Sequence, residues 1–198
     1  MQIFTAWPTW PAAERELQGI LEPDALVRTA QAYSAAEQWH GDQLRPTGAP
    51  YTEHLLEALE ALVSGAGVTD PDLLAAVLLH DTVEDTDATV GDVERRFGDR
   101  VAELVDWVTK PPAAGPGRTA KRAAKSAYLR RLGEAPAAAK LVKLADRVSN
   151  VQRLDQMPPD FQRRYYAETV TYIIPLSAGL PFFTEWYEEW RQAWRHLG

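Results

Sequence analysis

The feature that most constrains this chain is an apolar run that leads directly into a cluster of ionisable residues. The run, Leu73–Leu79, contains only leucine, alanine and valine, and His80, Asp81, Glu84 and Asp85 follow it at once. A run of this composition is expected to be buried, and buried ionisable groups have to be paired or to bind a cation. The sequence therefore predicts a polar site at the end of a buried element.

That buried element is predicted to be a helix. The range Thr69–Pro71 supplies a capping residue followed by proline, which is typical of the first turn of a helix. Residues four apart share one face of a helix, so His80 lies with Glu84 and Asp81 lies with Asp85. The adjacent His80 and Asp81 can both reach one point if the helix ends or bends toward it.

Helical periodicity recurs along the whole chain, and no segment shows the alternation of period two that is typical of a strand. We predict an all-α fold, a single compact helical bundle of roughly eight to ten helices. Residues 1–23 are interpreted as a Trp- and Pro-rich N-terminal lead-in and residues 24–198 as one domain. A chain of 198 residues suits a single domain with a sizeable core.

Composition excludes several classes of function. The chain has no cysteine, which leaves histidine and carboxylates as the strong metal ligands. Its net charge of −7 argues against non-specific binding to nucleic acid. The N-terminus lacks the pattern of a signal peptide, and no apolar run approaches the roughly 20 residues that a membrane span requires. We therefore expect a cytoplasmic protein that binds neither nucleic acid nor a membrane.

Four residues on separate elements are candidates for metal ligands: His54 near the start of one predicted helix, His80 and Asp81 at the end of the next, and Asp146 within an apolar helix. Two imidazoles and two carboxylates suit Mn²⁺, Fe²⁺, Co²⁺ or Zn²⁺. A bound metal lowers the pKa of its water, and Glu84 and Asp85, one turn further on, could orient or deprotonate that water.

These residues also allow an interpretation without a metal. His80 could be a core histidine that is hydrogen-bonded to Asp81 or to a carbonyl group. Asp146 could be paired with Lys143 or Arg147, which share its helix face. From spacing alone, both interpretations remain open.

Four sequence blocks occur in a distinctive order: His40–Arg45, Gly48–His54, His80–Thr86, and Leu141–Arg147 with Asn150. Together they resemble the hydrolase domain of RelA/SpoT-type alarmone enzymes, within the HD superfamily of metal-dependent phosphohydrolases. The likeness covers about residues 24–180. The chain is most similar to the stand-alone small alarmone hydrolases, and the resemblance implies an HD-domain bundle.

The resemblance also implies a set of site residues. The implied ligands of the metal, usually Mn²⁺ in this family, are His54, His80, Asp81 and Asp146. Glu84 and Asp85 would be the catalytic residues that serve the nucleophilic water. The implied substrate contacts are Arg45, which stacks on the base, Lys121, which contacts a phosphate, and Asn150, which lines the nucleotide pocket. His40 matches a family histidine that is not a ligand and is expected in the pocket wall or behind the ligands.

The activity that the resemblance implies is removal of the 3′-pyrophosphate of (p)ppGpp, the alarmone of the stringent response, with release of pyrophosphate and GDP or GTP. The sequence departs from the family pattern at three places, and these departures leave the identity of the nucleotide open. Leu55 replaces a proline, Pro46 replaces a lysine, and Arg147–Gln152 lacks the usual leucine and His or Tyr. Two alternatives stay open. One is hydrolysis of another nucleotide such as (p)ppApp or NADPH, and the other is a non-catalytic nucleotide-binding regulator.

Two further patterns have two interpretations each. A basic helix is predicted from Arg118 to Leu132, and it carries Lys121, Arg122 and Lys125. These three cations either form a solvated face or act together as a phosphate clamp, and we favour the phosphate clamp. On the last predicted helix, Trp186, Trp190 and Trp194 are spaced by four residues. Such a stripe is more often core packing, and a self-association surface that would form a homo-oligomer is the alternative.

Overall fold

Helices account for all the regular structure of the chain. The computed structural model describes residues 1–198, and the predicted all-α fold is confirmed. Ten of the eleven α-helices have eight residues or more, and one has four. They are α1 (Trp10–Leu17), α2 (Pro23–His40), α3 (Tyr51–Glu60), α4 (Pro71–Leu79), α5 (Thr82–Asp85), α6 (Val90–Phe97), α7 (Asp99–Val108), α8 (Arg118–Gly133), α9 (Ala137–Val151), α10 (Pro159–Glu168) and α11 (Pro181–Ala193). None of them combines the length and apolar composition that a membrane crossing requires.

The central helix is α4, which is apolar on every face and is surrounded by α2, α3, α7 and α9. All of Leu73–Leu79 is buried, as the composition of this run predicts. The carboxylate of Asp70 accepts the backbone N–H of Asp72 at 3.0 Å, and Pro71 occupies the first turn. Helix α4 ends at Leu79 and the short α5 begins at Thr82, so the chain bends at His80 and Asp81.

Both ends of the chain pack on the same core. Phe4 and Trp7 of the lead-in are buried, as are Trp186 and Trp190 of α11. The indole Nε1 of Trp190 donates to the carbonyl oxygen of Val151 at 3.0 Å. Core packing is therefore the correct interpretation of the tryptophan stripe for Trp186 and Trp190.

The segment that follows α10 is helical but not α-helical. Helix α10 ends at Glu168, and a wide π-type turn and a 3₁₀ turn carry the chain on to Ser177. Pro175 lacks the backbone N–H that an α-helix needs in its interior, which explains why the last segment leaves the α-helical path.

Candidate metal centre and adjoining cavities

Four side chains from four helical elements converge at the bend after α4. His54 lies in the first turns of α3, His80 is the C-terminal cap of α4, Asp81 precedes α5, and Asp146 lies within α9. One ligand atom from each lies within 4.8 Å of the others. His54, His80 and Asp146 are buried and Asp81 is partly buried. The structure thus brings together all four ligands predicted from the sequence.

The distances between these ligand atoms fit a divalent ion. The Nε2 atoms of His54 and His80 are 3.1 Å apart. Oδ2 of Asp81 is 3.0 Å from Nε2 of His80, and Oδ1 of Asp146 is 3.4 Å from each imidazole Nε2. An ion about 2.1 Å from each ligand, with bond angles of about 90–110°, sets neighbouring ligands about 3.0–3.4 Å apart.

The hydrogen-bond network assigns the proton of each imidazole to Nδ1. Nδ1 of His80 donates to the carbonyl oxygen of Val77 at 2.7 Å. The hydroxyl of Ser149 donates to the carboxylate of Glu57, so its oxygen accepts from Nδ1 of His54 at 2.8 Å. In the neutral rings both Nε2 atoms then present lone pairs to the same point, an arrangement that repels unless a cation or a proton lies there.

The electrostatics of the cluster also favour a cation. Burial alone would raise the pKa of Asp146, but Lys143 and the two imidazoles lower it well below its usual value. Burial would lower the pKa of His80, but Asp81 and Asp146 raise it well above its usual value. Positive charge at this point therefore stabilises the two carboxylates. A divalent ion would supply that charge and release the imidazole protons.

The second interpretation of Asp146 is also correct for one of its oxygens. Nζ of Lys143 lies 2.6 Å from Oδ2 of Asp146, while Oδ1 faces the imidazoles and accepts from the Asn150 amide at 2.6 Å. Arg147 turns away and pairs with Glu168, with 2.6 Å between Nη2 of Arg147 and Oε1 of Glu168. The carboxylate of Asp146 is therefore oriented by its neighbours while one oxygen remains directed at the cluster.

Glu84 and Asp85 lie on α5 beside the cluster. Glu84 accepts the backbone N–H of Lys110 at 3.1 Å and pairs with the ammonium group of the same residue. Partial desolvation, together with the charges of Asp81 and Glu84, raises the pKa of Asp85. Both carboxylates line the same cavity as Asp81 and Asp146.

Tyr51 is a site residue that sequence reasoning missed. Its hydroxyl donates to Asp81 and lies 3.3 Å from Oδ2 of Asp85. Burial, followed by the charge of Asp81, raises its pKa, so the hydroxyl keeps its proton and remains a donor. His40 stacks on the Tyr51 ring with 4.5 Å between the ring centroids, which places it behind the ligands as expected. The sequence carries one signal for Tyr51: it precedes His54 by three residues, and this spacing puts both residues on one face of α3.

The cluster opens into a cavity of about 230 Å³ that also contains four basic side chains. These are Lys110, Lys125, Lys143 and Arg147. Lys125 pairs with Glu168 in the wall. Lys121 and Arg122 lie on the exposed surface of α8 and do not line this cavity, so their phosphate contacts stay a prediction.

A second cavity, of about 390 Å³, adjoins the first. Asn150 lines both cavities, and Arg45 lines the larger one. Nη1 of Arg45 lies 3.0 Å from Oε2 of Glu57, the carboxylate that also accepts from Ser149. The larger cavity is therefore linked to the candidate ligand His54 through Glu57 and Ser149.

Replacing Ser149 with alanine is expected to weaken metal binding by about 10- to 100-fold, because His54 loses the acceptor that orients its ring. The measurement is titration calorimetry with Mn²⁺. Ser177→Ala, which removes another buried hydroxyl far along the chain, is the control and should bind the metal as the wild type does. Equal metal affinity in the two variants would contradict the role given to Ser149.

Comparisons with known proteins find relatives that cover most of this chain. The family model described as HD domain matches residues 32–179. The GTP pyrophosphokinase of Streptomyces coelicolor is 35% identical over 168 residues, which cover 85% of this chain and 20% of that protein. The bifunctional (p)ppGpp synthase/hydrolase SpoT of Escherichia coli K12 is 36% identical over 164 residues, which cover 81% of this chain and 23% of that protein. The chain thus spans about a fifth of the length of these relatives.

A solved structure is also similar over most of the chain. It is described as a metazoan ortholog of SpoT that hydrolyzes ppGpp. The two share 28% sequence identity with a TM-score of 0.75, and the match covers 86% of this chain and 97% of the other.

Proposed function

Since this chain belongs to the HD domain family, we propose that it is a divalent-metal-dependent hydrolase that removes the 3′-pyrophosphate of guanosine tetra- or pentaphosphate. The observation that carries the proposal is the convergence of two imidazoles and two carboxylates beside a cavity with four basic side chains. A cation site next to basic groups suits a substrate with two diphosphates. The names of the SpoT relatives support the same substrate class. We assign the metal site and the chemical step to residues 24–198.

The residues proposed to hold the metal are His54, His80, Asp81 and Asp146. Their mixture of nitrogen and oxygen donors suits Mn²⁺, the ion that we propose. When bound, such an ion would activate a water molecule for attack on phosphorus and would neutralise charge on the phosphate oxygens.

Glu84 and Asp85 are proposed to handle the proton of the attacking water. The raised pKa of Asp85 brings its proton affinity closer to that needed by a general base near neutral pH. Glu84, which is held by two contacts with Lys110, is suited to orient the water. Tyr51 would keep Asp81 and Asp85 apart and in position, because its hydroxyl contacts both.

The basic side chains of the smaller cavity are proposed to receive the diphosphate that leaves. Each of them is balanced by a carboxylate of the protein: Lys110 by Glu84, Lys143 by Asp146, and both Lys125 and Arg147 by Glu168. A substrate phosphate would therefore compete with these carboxylates for the same donors. In the larger cavity, Arg45 would stack on the base and Asn150 would contact the sugar or its phosphates.

One assay tests the reaction and the choice of nucleotide. The purified protein with Mn²⁺ is offered guanosine tetraphosphate, its adenine counterpart and NADPH, and released pyrophosphate or phosphate is measured. We expect pyrophosphate release from guanosine tetraphosphate, loss of this activity in EDTA, and recovery on addition of Mn²⁺.

Other outcomes of this assay would change the proposal. Faster turnover of the adenine nucleotide or NADPH would replace the substrate, an alternative that Pro46 keeps open because it removes a cation from the mouth of the site. Binding of a nucleotide without turnover of any would favour a non-catalytic regulator.

A further inference from the structure

The N-terminal segment 4–8 lies outside the part of the chain that the family model matches, yet it forms part of the larger cavity. Thr5, Trp7 and Pro8 line this cavity together with Arg45 and Asn150. The cavity therefore has a wall that the family pattern does not provide.

Two polar side chains hold the backbone of this segment in place. The N–H of Phe4 donates to Oε1 of Gln152 at 2.8 Å, and the amide of Gln152 donates to the carbonyl oxygen of Phe4 at 3.0 Å. The carboxylate of Glu60 accepts the N–H groups of Ala6 and Trp7 at 2.9 Å and 3.3 Å. These four backbone contacts, two at Phe4 and one each at Ala6 and Trp7, define a single path for the segment.

Apolar packing adds to these contacts. Phe4 is fully buried and meets the edge of Phe182, with 6.0 Å between the ring centroids, and Trp7 is buried as well. Thr5, which lies between these two anchors, is partly exposed, and Pro8, which follows Trp7, is exposed. The two anchors therefore attach the segment to the core and leave Thr5 and Pro8 on the cavity side.

The segment is attached to the helix that carries the centre of the site. Its anchor Gln152 directly follows α9, two residues after Asn150. Asn150 lines both cavities and bonds to Asp146, and Ser149 lines the larger cavity and bonds to His54. A nucleotide with its scissile diphosphate in the smaller cavity would thus extend its nucleoside into the larger cavity, toward the segment.

We propose that residues 4–8 form a specificity wall that contacts the nucleoside of a 3′-phosphorylated purine nucleotide, with Gln152 and Glu60 as positioning residues. The inference rests on the proposed function and deepens it. The wall is already ordered by its anchors, so substrate binding does not have to order it. It touches neither the metal ligands nor the scissile bond, so it acts on the affinity for the nucleotide rather than on the chemical step.

Filling the cavity from this wall tests the proposal. Thr5→Trp is expected to raise KM for guanosine tetraphosphate by about 10-fold or more, with kcat within about twofold of the wild type. The affinity for Mn²⁺ alone, measured by calorimetry, is expected to stay unchanged. The matched control is Thr9→Trp, at an exposed position directly after the segment that does not line the cavity, and it should leave KM unchanged.

Loosening the wall tests the positioning role. Gln152→Ala removes both contacts with Phe4 and is expected to raise KM about threefold to 10-fold with unchanged Mn²⁺ affinity. Equal KM values for the Thr5→Trp and Thr9→Trp variants would contradict the proposal that residues 4–8 form a specificity wall. If the wild-type protein binds guanosine tetraphosphate without turnover, the proposed function alone is overturned. The specificity wall can still be tested, because the dissociation constants of the variants then replace their KM values in the same comparison. A wild-type protein that binds no nucleotide would overturn both.

Discussion

Replacing Asp146 with alanine is expected to abolish metal binding at micromolar Mn²⁺ and to lower turnover by at least about 1,000-fold. Two effects act in the same direction. The variant loses the oxygen that lies 3.4 Å from both imidazoles. It also leaves the ammonium group of Lys143, now 2.6 Å from Asp146, without its partner next to the site. An unbalanced, partly buried cation repels a divalent ion, so the loss exceeds that of one ligand bond.

Titration calorimetry with Mn²⁺ and the pyrophosphate assay check this expectation. Asp146→Asn keeps the volume of the side chain and should bind metal nearly as poorly, which separates the loss of charge from the loss of packing. Asp160→Ala, on the exposed first turn of α10, is the matched control and should behave as the wild type does. Wild-type metal affinity in the Asp146→Asn variant would show that this carboxylate is not a ligand.

Replacing Glu84 with glutamine is expected to leave metal affinity within about threefold of the wild type and to lower kcat by about 100- to 1,000-fold. Glutamine has the same shape but neither carries the negative charge nor accepts a proton. Glu84 is absent from the four-residue cluster of candidate ligands, which explains why metal binding should persist. Kinetics and Mn²⁺ titrations on the same preparation make the comparison.

A second variant separates two roles of Glu84. If Glu84 acts only by holding Lys110, then adding Glu84→Gln to the Lys110→Gln variant should not lower kcat further, because the ion pair is already lost. If Glu84 serves the water, the double variant should be slower than Lys110→Gln alone. Asp87→Asn, an exposed acid close by in the chain, controls for the change of charge. Full activity of the Glu84→Gln variant would rule out its role with the water.

The elements that were predictable from the sequence are those with a local cause. Helix α4 follows from its apolar composition and from the cap at Asp70, and α6 begins directly after Thr89, whose side chain caps the helix by accepting the backbone N–H of Asp92. The four candidate ligands were predictable because their residue types are rare in apolar surroundings and because their blocks resemble a known family. Their convergence within 4.8 Å agrees with that prediction.

Other features depend on contacts between distant segments. Ser149 orients His54 from 95 positions away, and Gln152 holds Phe4 from 148 positions away. Lys125 rather than Lys121 lines the cavity, because the way in which α8 packs on its neighbours decides which face of that helix points inward. The spacing of residues shows that they share one face of a helix, but it does not show which other helix that face packs against.

The sequence by itself determined the all-α class, the buried helix α4 and the chemical nature of the candidate ligands, because periodicity, caps and residue type act within a few residues. Only the tertiary structure decided the rest. The bend at His80 and Asp81 directs both side chains to one point, Tyr51 and Ser149 orient the site, and the segment 4–8 closes one side of the larger cavity. These features arise from the packing of whole helices on one another, and the geometry of that packing is not written in any single stretch of the chain.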